Sequence, residues 1–304
     1  MDHIKNLLCI LSLSDTDKFT IKYTTHIAKI AGVENIYINF INEHHNVPEY
    51  IKNLYPGNHF IVNQEIVKKM REDILTVHVS EMKANVYFNV FDEGSILDNC
   101  LKFISEKQID LVIYRKNLQN QDSPGFATKL VRRSVCSVMV LTENLSHFSK
   151  ILVPVDFSSH SKEALETAIL FSKFANISRV NLLHVIEHPN ISNWKTDHDH
   201  QEFVGILKKH AAKEGEDFLK ECQTTGVEVD PIFRVDENIV NGIQKVIKEL
   251  KIDLVIIGAR GKTSGISIFL GSVSETLIKS LNVPLLAVKS KGTGSNILKL
   301  LFSN

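Results

Sequence analysis

The stretch IDLVIIGARGKTSGISIFLGSVSE, Ile252 to Glu275, runs from an apolar segment through a glycine-rich loop into a segment of helical period. Its Gly261, Lys262 and Thr263 invite a P-loop reading. A P-loop closes a ring of backbone amides around a phosphate, and that ring needs a glycine five positions earlier. Here that position is Ile256, inside the apolar run, so the glycines serve another geometry. Gly258 ends the run, Gly261 follows within a turn, and after nine intervening residues Gly271 and Ser272 open a helix. Glycine at 258 and 261 lets the backbone turn sharply and approach a ligand without Cβ interference. The first amides of a helix have no partners within it, and with the helix dipole they favour an anion. An anionic chain held between the Gly258–Gly261 turn and the Gly271 helix start satisfies both ends of the loop. The Ser272 hydroxyl either donates to that anion or caps the helix itself. The alternative is a structural turn that binds nothing.

Working outward, the chain repeats. NLLCILSLSD from Asn6 aligns with KILVPVDFSS from Lys150 at an offset of 144, and the register holds through INFINEHHN against LLHVIEHPN. IDLVIYRKN from Ile109 matches IDLVIIGAR from Ile252 at 143, and CSVMVL at Cys136 matches VPLLAV at Val283 at 147. The second copy therefore carries four extra residues between its last two apolar runs, inside the glycine-rich stretch. Apolar runs such as ILVPV, LLHVI, IDLVII and PLLAV are short and continuous, as strands apolar on both faces are in a parallel sheet covered by helices. Between them lie helix-period segments. KEALETAILFSKFA can be capped by Ser158, Ser159 or Ser161, NIVNGIQKVIKEL puts Ile239, Ile243, Val246, Ile247 and Leu250 on one face, and SVSETLIKSL starts at Ser272. The expectation is an α/β protein of two tandem, open, parallel five-stranded sheets with helices on both faces, Rossmann-like. The predicted domains are 1–148 and 149–290, followed by a tail, 291–304, that docks on the chain or on a second copy. Ligands of such sheets lie at the carboxyl ends of the strands, here after ILVPV and IDLVII.

At 304 residues, two domains are expected. Lys plus Arg and Asp plus Glu both total 35, so no net field gathers nucleic acid or an anionic membrane. No segment runs apolar for the ~18 residues that a membrane span needs, and a soluble, cytoplasmic protein is expected. Four cysteines, Cys9, Cys100, Cys136 and Cys222, lie far apart and read as small buried hydrophobes. Histidine and carboxylate crowd at Glu43, His44 and His45, at His184 and His188, and at Asp197, His198, Asp199 and His200. Adjacent and alternate residues cannot all converge on one ion, so no metal site is expected.

GxxG, nine residues and Gly-Ser, in GARGKTSGISIFLGS, together with ILVPVDFSSHS and LLHVIE, resemble the universal stress protein family, and the repeat extends the resemblance over nearly the whole chain as a tandem member. The resemblance implies a parallel five-stranded sheet of the adenine nucleotide alpha hydrolase-like kind, and ATP (or AMP or ADP, with or without magnesium) bound where the motif is intact. It implies that Asp156 hydrogen-bonds ribose or adenine with Pro154 and Val155 beside it, and that Val185 touches adenine. Gly258, Gly261, Gly271, Ser272 and Val273 would hold phosphates and ribose. Physical chemistry agrees that the nucleoside end belongs near Asp156, because a carboxylate repels a triphosphate set against it. Arg260 and Lys262 either lean on the phosphates or are solvated. Asp156 is alternatively a helix cap.

The first copy departs from this pattern. Ser12 stands for Asp156, Ile10 for Pro154 and Arg115 for Gly258, and YRKNLQNQDSPGFATK lacks GxxG. The amino-terminal domain is therefore expected not to bind ATP, and the resemblance implies that its last strand pairs with that of its partner, forming an intramolecular pseudo-twofold dimer alongside any homodimer. Its basic cluster, Arg115, Lys116, Lys129, Arg132 and Arg133, is either a second anion site or a solvated face. Hydrolysis would need a positioned water and a base. Glu275, Thr263 and Ser264 are near in sequence but carry no catalytic signature, so a nucleotide-binding regulator is expected rather than an enzyme. A slow ATPase, a protein self-phosphorylating on Ser272 or Thr263, and a scaffold are the alternatives.

Overall fold

The structure is a computed structural model and describes residues 5–12, 17–41, 84–91, 95–116, 123–142, 148–187, 197–259 and 270–289, with positions 68 and 72. The first half runs β1 (Asn6–Leu11), α1 (Asp17–Ala31), β2 (Asn35–Ile41), β3 (Asn85–Phe91), α2 (Ile96–Glu106), β4 (Leu111–Arg115), α3 (Ser123–Arg133) and β5 (Ser137–Leu141). The second runs β6 (Ile151–Pro154), α4 (Ser159–Phe174), β7 (Arg179–Glu187), α5 (Asp197–Glu221), β8 (Glu228–Asp236), α6 (Ile239–Leu250), β9 (Leu254–Gly258), α7 (Ser272–Ser280) and β10 (Leu285–Val288).

The two sets of strands form one sheet in the order β3-β2-β1-β4-β5-β10-β9-β6-β7-β8. Each half is parallel throughout, and the halves meet at the single antiparallel pair, Leu285 opposite Val140, Leu286 opposite Met139 and Ala287 opposite Val138. The two expected five-stranded sheets are thus continuous. Strands buried on both faces must be covered on both faces, and the core divides accordingly. On one side Leu165 and Ile169 of α4 pack with Leu7, Val153, Met139 and Leu286; on the other Leu130 of α3, Ile243 of α6 and Leu277 of α7 pack with Val138, Val255 and Ala287. Both layers cross from one half into the other. Each such side chain removed from water stabilises the fold by about 1.5–3 kcal/mol, so the seam is core rather than a loose contact.

The helices start where short polar side chains can accept from exposed amides. Ser95 accepts from the Asp98 amide, Ser158 from Ser161 and Asn238 from Asn241, which selects Ser158 among the three serines expected to cap α4. On α6, Ile243, Val246 and Ile247 are buried, the face read from the spacing. Cys9, Cys100 and Cys136 are buried and Cys222 half-buried, all unpaired. Burial pushes the first three thiols up to about 12 and Cys222 to about 11, so none is a ready nucleophile. No helix among the described residues is long and apolar enough to cross a membrane.

Candidate functional site

In the second half, the chain leaves β6 toward β7 on one side of the sheet while β9 lies on the other, so connections diverge above the β6 and β9 ends. A crevice opens at such a divergence. It is a cavity of about 320 Å³, within the ~300–1,000 Å³ of ligand pockets. Pro154, Val155, Asp156, Val185, Gly258, Gly271, Ser272 and Val273 all line it. These are the sequence-predicted residues that fall among the described ones. Arg260, Gly261 and Lys262 lie outside the described residues, as do Thr263, Ser264 and the tail.

One wall is apolar, made of Val185 on β7 and Ile239 and Ile243 on α6. Gly242 lets the helix come so close, since a Cβ there would meet Val185 Cγ1 at 2.8 Å. The floor is the β6 end. The Asp156 carboxylate accepts at Oδ1 from the Ser158 amide, 3.1 Å, and from the Ser161 hydroxyl, 2.6 Å, and the Ser161 oxygen in turn accepts from the Asp156 amide, 3.0 Å. Ser158, not Asp156, caps α4; the carboxylate braces the cap from outside. Between them Phe157 has φ of 59°, the left-handed region that a bulky residue occupies only when its surroundings force it. Its ring stacks on His184, centroids 4.3 Å apart, and tilts against Phe218. His184 Nδ1 lies 2.9 Å from the Val155 carbonyl, which can only accept, so Nδ1 carries a proton. This is the packed, hydrogen-bonded histidine that an apolar strand suggests, and it too lines the cavity.

The far wall is the start of α7. Gly271 is its N-cap, with φ of −62° and no side-chain cap. The Gly271 amide points to the Ala259 carbonyl at a long 3.4 Å, and the Ser274 hydroxyl donates to the Gly258 carbonyl at 3.1 Å, tying the helix start to the end of β9. Gly258 lines the cavity and also admits α4, since a Cβ there would lie 2.7 Å from the His160 carbonyl oxygen. Ser161, His184, Ser274 and the isoleucines of α6 also line the cavity, a place the sequence reading did not give them. Only Ser161, five residues after Asp156 at a helix start, carried a local signal of it.

Glu275, in the first turn of α7, ion-pairs with Arg132 of α3 and, at 2.8 Å, with Lys279. Lys279 first and Arg132 second hold its carboxyl below the usual range. A base committed to two cations does not orient water. Three more members of the amino-terminal basic cluster also reach protein groups. Lys116 is 1% exposed, and its ammonium donates to the carbonyls of Ile278, Lys279 and Leu281 at 3.0, 3.2 and 2.8 Å. Burial pulls its pKa down to about 8. Arg133 pairs with Asp98 at 2.9 Å, and Arg115 Nε reaches the Thr142 carbonyl at 3.5 Å. Each of these three meets a different protein partner, and Lys129 is exposed. Among the described residues no group of histidine, cysteine or carboxylate could hold a metal; Glu43, His44, His45 and His188, and the side chains of residues 197–200, lie outside them. A wider groove of about 720 Å³ runs along β8 between Lys208 of α5 and Glu249 of α6, and no predicted residue lines it.

Residues 147–289 match the model of the universal stress protein family. A universal stress protein of Methanocaldococcus jannaschii is 32% identical over 165 residues, which cover 48% of this chain and 98% of that protein. One from Bacillus subtilis is 26% identical over 149 residues, covering 47% and 99%. Over both halves together, the crystal structure of a universal stress protein from Archaeoglobus fulgidus superposes with a TM-score of 0.61 at 19% identity, covering 94% of this chain and 97% of that one, a likeness of fold.

Proposed function

The chain belongs to the universal stress protein family, and on that premise we propose that its carboxy-terminal half, residues 149–290, binds an adenine nucleotide and that the protein acts as a nucleotide-responsive regulator. The observation that carries the reading is the convergence of an apolar wall, a braced carboxylate and an uncapped helix start on one cavity. The base lies against Val185, Ile239 and Ile243. The ribose faces Asp156, whose rotamer the Ser158 and Ser161 bonds fix before any ligand arrives. The phosphates extend to the start of α7, where the amides and the dipole favour negative charge by about 0.3–1 kcal/mol. Arg260 and Lys262 follow Gly258 closely enough in sequence to reach that end, with Gly261 between them, and magnesium would bind there through the phosphates rather than through a protein cage.

The amino-terminal half, residues 1–148, takes no nucleotide in this reading. Ser12 replaces the ribose-facing carboxylate, and its amide and hydroxyl reach Asp17 Oδ1, each at 3.4 Å. Hydrolysis is not part of the proposal, because Glu275 is held by cations. Four unpaired thiols suit a reducing compartment, and we place the protein in the cytoplasm. The test is mass spectrometry of the small molecules released when the purified chain is denatured, with a thermal shift on adding ATP. Adenine nucleotide in the supernatant and a Tm that rises with ATP are expected, ~2.7 kcal/mol of stabilisation at a hundredfold excess over Kd. No nucleotide and no shift would overturn it and leave a scaffold.

A further inference from the structure

The helix that starts at the cavity is held at both ends by the other half of the molecule. At its last turn Lys116 donates to three carbonyls of residues 278–281, and in its first turn Arg132 pairs with Glu275. The lysine is buried where the carbonyl end of the helix dipole attracts a cation. The arginine contact raises a separate question. Arg132 is 40% exposed and Glu275 27%, and a pair so open adds only about 0–1 kcal/mol to stability. A stability role is therefore small. Glu275, however, lies in the first turn of α7, directly after Ser272, Val273 and Ser274, which line the cavity at the helix start. An unscreened carboxylate at that distance opposes any anion brought there, and Arg132 and Lys279 are the cations that face it.

We infer that Arg132 is a positioning residue of the carboxy-terminal cavity: from the opposite half it neutralises Glu275, so that the start of α7 accepts a phosphate. It does not line the cavity and touches no ligand atom there. The inference rests on the nucleotide reading above and adds that the anion affinity of this site is set across the seam. Whatever separates α3 from α7 weakens ATP binding, and by reciprocity bound ATP draws the two helices together by the same factor.

The test is calorimetric titration of the full chain with ATP and, separately, with adenosine, at low salt. Arg132→Gln is expected to weaken ATP about 3- to 10-fold and leave adenosine unchanged, since only the charged ligand feels Glu275. Arg132→Lys restores most of the loss. In a Glu275→Gln background ATP binds as tightly as in wild type or tighter, and adding Arg132→Gln has no further effect. Equal weakening of ATP and adenosine, or the same loss whether or not Glu275 carries charge, would overturn the inference, as would an unchanged ATP affinity in Arg132→Gln. A wild-type chain that takes up neither ligand removes the nucleotide reading itself, and this inference with it.

Discussion

Two halves of one chain share a strand order and a repeat register, and the second carries a cavity at the ends of β6 and β9. The differences lie at a handful of matched positions. Asp156 bonds the Ser161 hydroxyl at the end of β6; at the matching positions of the first half the partners are exchanged, Ser12 at the strand end and Asp17 on the helix. The hydrogen bond that ties strand end to helix start survives the exchange. The carboxylate at the strand end does not, because Asp17 is 2% exposed and sunk in the helix base. Leu183 lines the cavity, whereas Asn39, its counterpart on β2, is buried with an amide nitrogen that finds no acceptor. The scaffold tolerates both sets, so folding and ligand binding are separable requirements on this architecture.

The comparison breaks most sharply at Gly258, whose counterpart is Arg115. Gly258→Arg puts a Cβ 2.7 Å from the His160 carbonyl, and overpacking of backbone against backbone is expected to cost 3 kcal/mol or more, about the top of the range for forced core contacts, and to abolish any ATP-induced thermal shift. Urea unfolding of the full chain measures it; a variant as stable as wild type would mean that the halves differ for another reason.

The next effect concerns Lys116, to which the second half offers Ala259 as counterpart. Its folded pKa is about 8 against an ordinary 10.5, so between those values the unfolded chain holds more protons than the folded one. Stability from this group is fullest above pH 10.5 and falls away as pH drops through about 8, by roughly 3 kcal/mol in all. Unfolding free energies of wild type minus Lys116→Met should therefore rise across pH 8 to 10.5. A pH-independent difference would show that the ammonium is not desolvated as its position requires.

A smaller effect sharpens the exchange of serine and aspartate. Asp156→Ser is expected to weaken ATP and adenosine alike by about 10-fold or more, the loss of a hydrogen bond to a charged acceptor, while Asp17→Ser leaves both unchanged. The smallest is Ser158→Ala, which should lower stability by about 1 kcal/mol through the lost cap without altering ligand affinity; an affinity loss there would tie the cap to binding.

Much of this organisation was legible before any coordinates. The repeat, at offsets of 143 to 147, marks out the halves, and continuous apolar runs such as ILVPV mark parallel strands because no half-solvated strand would carry them. Gly258, Gly271 and Ser272 were read from local pattern and Pro154, Asp156 and Val185 from the family resemblance, and the chain does bring them to one cavity. What stayed hidden was long-range. Lys116 and Arg132 read as a charge run because their partners lie on α7, in the other half of the sequence. Ile239 and Ile243 read only as a helix face, since nothing local says which of a helix's apolar residues meets a void. At Gly258 the α4 neighbour stayed hidden, because a missing Cβ looks the same in sequence whether a ligand or a helix backbone fills the space.

The antiparallel contact between β5 and β10 has a consequence for how the molecule behaves at low abundance. An assembly of separate subunits falls apart on dilution, whereas here both partners are tethered, and their encounter is unimolecular with an effective concentration set by the tether. The joined state therefore persists at any copy number in the cell. With pairing guaranteed by covalent linkage, either half can diverge in sequence without losing its partner.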